Sequence, residues 1–332
     1  MNSLEKIDGT VSHRKPTAIV MCCGIGLTSL ALMLAGYEII GVIDCWDYAE
    51  KIYKLNFPNV KFMRKSLREI TSKMICEEFN IQPGSVDLIQ VSNPCTGVST
   101  SGECEPFSAT NDLFMVGTKL AFELNAKTVV YENVKGLTNI GMAPLFGMIY
   151  SFIQRAAPDY IIEAKVLNAH TFGDPQARER IFIQATRVGR PVWPDTVPVD
   201  QRKVLADVFP DAEYLKSRNY VDLMYYPHQP APTVTGHPAM SIFNGESDCD
   251  VVPKKYGELM GVTDDFNFML EGSIADQNLG IGNGVCVGVM RAIATVIKKE
   301  LLGDDSPPES DLDNDPEQEF IKPLIGKNTP TV

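Results

Sequence analysis

The chain has 332 residues and little with which to hold a metal ion. Its eight cysteines include no C-x-x-C pair and its four histidines are scattered, which argues against a zinc site. A basic excess is also missing, since the formal net charge is −12. Eight acids (Asp304, Asp305, Glu309, Asp311, Asp313, Asp315, Glu317, Glu319) crowd one tail segment, and without them the body carries about −4. Nucleic-acid binders usually show a basic footprint, so any such partner has to be met by a local basic face. The first sixteen residues lack the apolar run of a secretion signal, and reduced thiols in a cytosol-like compartment are expected. Repeats and low-complexity tracts are absent ahead of the acidic tail. The longest uncharged stretch, residues 16–37, is long enough for a membrane span. Gly24 and Gly26 split it into a β-prone half, TAIVMCC, and a helix-prone half, so strand, turn and helix are expected there and no membrane partner.

What is present alternates. Short apolar runs (TAIVMCC, YEIIGVID, VKFM, VDLIQVS, KTVVYENV, YIIEAKVLN, RIFIQATR) are separated by amphipathic stretches such as WDYAEKIYKLNF, REITSKMICEEF, NDLFMVGTKLAFELN and PLFGMIYSFIQRA. Strands alternating with helices predict an α/β fold on a parallel, doubly wound sheet. Residues 1–16 read as a flexible arm. Composition shifts near Arg187, and residues 187–272, rich in Pro, Asp and Tyr, read as a second, smaller and irregular domain. Helical pattern returns at NGVCVGVMRAIATVIKKELL, so residues 273–302 rejoin 17–186. Residues 303–332 read as an acidic, flexible tail.

Four stretches carry chemistry. CGIGLTS, Cys23 to Ser29, puts glycines between a strand and a helix N-terminus, where a ligand can approach the backbone. Asp44 ends the second strand, where an acid can bind a ribose hydroxyl pair, and together they suggest a nucleoside-containing cofactor. SNPCTGVSTSG, Ser92 to Gly102, sets Cys95 at a strand-to-loop switch, as either a small buried hydrophobe or a presented nucleophile. In a parallel sheet YENV brings Glu132 to the same edge, and GDPQARERIF adds Gln176, Arg178 and Arg180.

Taken in order over roughly residues 17 to 300, these stretches resemble the cytosine-C5 methyltransferases that modify DNA. CGIGLTS is similar to that family's first motif, NPCTGVSTSG to its nucleophile loop, YENVKGL to its ENV motif, FGDPQARERIF to its QxRxR motif and LGIGNGVCVGV to its GN-x-V motif. The resemblance implies a Rossmann-like catalytic domain that binds S-adenosylmethionine, with residues 187–272 as a small target-recognition domain. It implies that Cys95 attacks C6 of a flipped-out cytosine, that Glu132 and Arg180 meet the ring, and that Arg178, with Gln176, supports Glu132 and the loop within the catalytic set. Gly24, Ile25, Gly26, Asp44, Cys45, Trp46, Ser66, Pro94, Leu113, Asn283 and Val285 are implied cofactor contacts. Ser99, Ser101, Gln176, Thr233 and Thr235 are implied substrate contacts, with no metal involved. Double-stranded DNA is the implied partner, with tRNA or a cytosine nucleotide as the alternative, and a silent regulatory homologue as a second one. A monomer in the cytoplasm or at the nucleoid, or in a host nucleus, is expected. Four positions depart from the pattern: Cys22 stands where Phe is usual, Leu27 for Gly, Thr96 for Gln, and Ser66 where an acid would meet adenine. Residues 187–255 hold eight bases and nine acids, nearly neutral for a DNA-facing region.

Overall fold

The computed structural model describes residues 14–93, 112–138, 143–217, 223–263 and 268–303. Most of the arm and the tail beyond Gly303 lie outside them. Seven strands form the main sheet: β1 (Thr17–Met21), β2 (Glu38–Asp44), β3 (Lys61–Arg64), β4 (Leu88–Val91), β5 (Thr128–Val134), β6 (Ile161–Asn168) and β7 (Glu179–Thr186), in the order β3-β2-β1-β4-β5-β7-β6. The helices between them are α1 (Leu27–Leu34), α2 (Asp47–Asn56), α3 (Ser72–Phe79), α4 (Asp112–Glu123) and α5 (Ala143–Ala156).

The apolar runs seen in the sequence are buried on both faces, as inner parallel strands must be. Along β1 the side chains alternate between two cores. Ala18 and Val20 join the cluster under α1 and α2, whereas Ile19 and Met21 join the cluster under α3, α4 and α5. The 16–37 stretch is strand, glycine turn and helix, as the glycines imply.

The expectation of a wholly parallel sheet needs correction. β1 to β5 run parallel, but β7 inserts antiparallel between β5 and β6. The cause is the short link between β6 and β7. It holds only a single 3-10 turn, Ala169–Phe172, and no crossover helix, so the chain has to turn back.

Residues 187–272 are less irregular than expected. After a short α6 (Leu205–Val208) they carry a four-stranded antiparallel sheet, β8 (Tyr214–Ser217), β9 (Leu223–Tyr225), β10 (Met240–Phe243) and β11 (Asp248–Asp250), ordered β11-β10-β8-β9, and then α7 (Pro253–Leu259). Strands this short leave almost no period-two signal. Leu215, Met240 and Leu259 share one apolar cluster with the last helix, α9 (Val287–Leu302).

The expected C-terminal helix is present as α9, and a further helix precedes it. α8 (Ile274–Gly282) stops at Asn283, and α9 starts at Val287. Residues Ile274–Leu302 have the length and composition of a membrane span, yet Val289, Met290, Ile293, Ala294 and Ile297 are fully packed in the core.

Candidate active site

The sheet order reverses between β1 and β4, which opens a crevice at the carboxyl ends of the strands. β1 leads through Cys22 and Cys23 to Gly24, in left-handed backbone at φ 53°, and on to α1. The Gly24 N–H donates to Asp44 Oδ2 at 2.8 Å, and the Trp46 N–H donates to Asp44 Oδ1 at 3.0 Å. The carboxylate at the end of β2 is thus pinned between the glycine turn and the start of α2. A Cβ placed on Gly24 would meet nothing within 4 Å, so open space faces this backbone. Trp46 and Tyr48 lean on each other beside it, with ring centroids 5.0 Å apart. Cys45 is exposed, and Ile25 is buried beneath α8.

α8 escaped the sequence reading because its two glycines weaken the helical signal. Both are there for close approach. A Cβ on Gly280 would lie 2.7 Å from Ile25, and one on Gly282 would collide with the Thr235 carbonyl. Asn283 ends α8 with its side chain beside Gly236, and Val285 is buried just past it. Ser66 follows β3, and its hydroxyl is engaged in capping a 3-10 turn by accepting from the Arg68 N–H at 3.4 Å. Leu113 packs into the core on α4.

The second half of the site sits on β5 and β7. Register places Val134 opposite Arg180 and Glu132 opposite Phe182. The Arg180 Nε lies 3.3 Å from Glu132 Oε1. Glu132 is only 8 % exposed. Burial pushes its carboxyl above the usual range, while Arg180, Arg178 and a hydrogen bond with Ser92 pull it back down. Asn133 beside it donates through Nδ2 to the Asn93 carbonyl at 3.5 Å.

Every second residue of the segment leading into β7 fixes a different part of the molecule. Asp174 accepts from the Gly288 and Val289 N–H groups at 2.8 and 3.0 Å. Gln176 donates to the Leu259 carbonyl at 2.6 Å and accepts from the Val234 N–H at 3.0 Å. Arg178 donates to the carbonyls of Val234, Gly282 and Gly284 at 2.5, 2.9 and 2.9 Å. Arg180 pairs with Glu132. An extended segment alternates its faces, and here alternate side chains tie the residue 231–236 strap, α7 and the α8–α9 junction to the sheet edge. Thr233 belongs to that strap, and its hydroxyl donates to the Ala177 carbonyl at 2.8 Å. Thr235 offers its backbone to Gly282.

Two residues named from the sequence are held by protein groups. Gln176, expected at the substrate, is fully buried with its amide bound to protein. Arg178 is a buried clamp on three backbone carbonyls, and its charge also helps to pull the Glu132 carboxyl down. Asp174 and Ser92 were missed. The D-x-Q-x-R-x-R alternation was a visible signal for Asp174, whereas nothing marked Ser92. Pro94, Cys95, Ser99 and Ser101 lie outside the described residues.

Replacing Arg178 with methionine is expected to cost about 3–5 kcal/mol, because three buried carbonyls lose their donors. The urea midpoint measures this loss.

A nucleotide-type crevice, with a pinned acid on one side and a buried carboxylate–guanidinium pair on the other, belongs to a particular family. The family model for C-5 cytosine-specific DNA methylase matches residues 17–242, and the chain belongs to that family. Among individual proteins it is similar to the Type II methyltransferase M.XorII of Xanthomonas oryzae pv. oryzae, with 28% identity over 217 residues, 64% of this chain and 51% of that protein. M.HpaII of Haemophilus parainfluenzae is 28% identical over 64% of this chain and 59% of its own length. The chain thus spans about half the length of these curated relatives. M.HindV of Haemophilus influenzae is 26% identical over 82% of this chain and 93% of its own. Among solved structures, a prophage DNA modification methyltransferase from E. coli superposes with TM-score 0.67 at 17% identity, covering 87% of this chain and 100% of its own. DNMT2 of Spodoptera frugiperda gives 0.62 at 20%, with the same coverage. These two show the same fold.

Proposed function

We propose that the protein is a DNA cytosine-C5 methyltransferase that uses S-adenosylmethionine and acts through a temporary bond from Cys95 to the base. The observation that carries this reading is the Glu132–Arg180 pair at the sheet edge. Asn93, held beside Glu132 by Asn133, is followed in the sequence by Pro94 and Cys95. The residues present suit the cofactor: open space before the Gly24 backbone, an Asp44 carboxylate held by two N–H groups, and the Trp46 ring alongside. Asp44 would take the ribose hydroxyls, Trp46 the adenine, and Gly24, Ile25, Asn283 and Val285 the remainder. When bound, S-adenosylmethionine supplies an electrophilic methyl group on a sulfonium.

The chain's own residues do the rest. The Cys95 thiolate adds to C6 of cytosine, and the ring electrons that shift toward N3 are met there by a proton held on Glu132. The ring is then an enamine, nucleophilic at C5. Glu132 also accepts from the exocyclic amine, and Arg180 fixes the carboxylate and faces the carbonyl oxygen. After C5 is methylated, water takes the C5 proton as the Cys95 thiolate leaves, and the N3 proton returns to Glu132, restoring the aromatic ring. Residues 187–272 are the proposed target-recognition part, which meets a flipped-out base in double-stranded DNA.

Tritiated methyl transfer to duplex DNA, tRNA and dCMP in parallel tests the reading. Label is expected in duplex DNA, at cytosines that bisulfite sequencing then places in a defined context. Label only in RNA or nucleotide overturns the DNA assignment, and label in none of them overturns the enzyme.

A further inference from the structure

Asp174 has no part in the chemistry proposed above, yet it is a carboxylate buried to 1 % exposure beside the site. Its side chain reaches the first turn of α9, where it accepts from the Gly288 and Val289 N–H groups. A helix start leaves such N–H groups without partners and favours a negative charge. Cys286, the residue just before α9, provides no side-chain cap, so a residue more than a hundred positions away in sequence fills that role. Gly288 crowds the carboxylate closely, since a Cβ there would lie 2.8 Å from both of its oxygens. Arg178, four residues along the same segment, holds Gly282 and Gly284. The two side chains therefore bracket the junction Asn283–Cys286, one at the end of α8 and one at the start of α9.

We propose that Asp174 is a positioning residue for the cofactor half of the site, setting the place of Asn283 and Val285 through the start of α9. This rests on the reading that those two residues meet S-adenosylmethionine. Burial outweighs the two N–H bonds and pushes the carboxyl up to about 7. The groups facing it are the cations Lys203 and Arg178, which favour its charge, and two neutral ones. Burial and Asp174 itself push the Cys286 thiol up, while burial and Arg202 hold His170, which contacts the Asp174 backbone, below its ordinary value. Below pH 7 a proton on one oxygen faces an N–H, and that bond is lost. The sign for folding is opposite. A carboxyl raised from 3.8 adds stability that is full below 3.8 and gone once pH has risen through 7. Raising the pH therefore tightens the junction while removing a stability increment.

The test is calorimetric titration of S-adenosylhomocysteine into the full-length wild type, D174N and D174A, about one unit below and one unit above pH 7. The wild type is expected to bind about threefold more tightly at the higher pH. There, D174N is expected to be about fivefold weaker than wild type and D174A about tenfold weaker, and neither should share the wild type's pH dependence. D174N is close to isosteric, so it decides the matter alone if D174A does not fold. Wild-type affinity in a folded variant overturns the inference, as does a lowered melting temperature with the pH dependence intact. A wild type that binds no S-adenosylhomocysteine overturns the cofactor reading itself, and this inference with it.

Discussion

Glu132→Gln is expected to lower the rate of methyl transfer by about 100- to 1,000-fold while leaving the chain folded. Glutamine keeps the shape of the side chain but has no proton to give. The reaction needs that proton at N3 at the moment electrons leave the C5–C6 bond. Burial pushes the Glu132 carboxyl upward, which favours its protonated form. Arg180, Arg178 and Ser92 oppose this. Since its carboxyl is raised, the neutral fraction falls as pH rises through the raised value, and the wild-type rate is expected to fall with it. Glu132→Gln removes that limb of the profile. Single-turnover rates across pH measure both effects. An unchanged rate would place the proton donor elsewhere.

Cys95→Ala is expected to have the larger effect, about 10,000-fold or more, leaving no measurable turnover. Cytosine C5 is a poor nucleophile until a group adds at C6, and the described thiols near the crevice are poor substitutes for Cys95. Burial pushes Cys22, Cys23 and Cys286 strongly upward, and burial with the Asp44 charge pushes Cys45 upward, which disfavours their thiolates. DNA binding, measured on the same variant by mobility shift, is expected to persist, since the thiol adds a reaction and little contact area. Serine is not expected to rescue the rate, because its alkoxide is inaccessible near neutral pH.

The inner strands were legible because burial on both faces leaves near-continuous apolar runs, TAIVM and LIQV among them. The crevice was legible through residues that chemistry constrains tightly: Gly24, whose backbone faces open space, Asp44 at a strand end, and Glu132 and Arg180. What escaped was set by tertiary contact. The direction of β7 follows from the length of a link, which no residue type announces. α8 was hidden by Gly280 and Gly282, chosen for the closeness of Ile25 and Thr235 rather than for helix strength. The strands β8 to β11 are too short to show a period. The buried partners of Gln176 and Arg178 were hidden for a related reason. Amide and guanidinium groups suit a ligand and a buried carbonyl equally well, and only packing decides between them.

The most direct measurement is covalent capture. The protein is incubated with S-adenosylmethionine and a duplex oligonucleotide carrying 5-fluorocytosine in the context found by bisulfite sequencing. Fluorine at C5 cannot leave as a proton does, so a thiol–base link formed in the reaction persists. A denaturation-resistant adduct is expected, with peptide mass spectrometry assigning the link to Cys95 and C95A yielding none. An adduct on Cys45 or Cys249, or methylated natural substrate with no adduct from the fluorinated one, would contradict it.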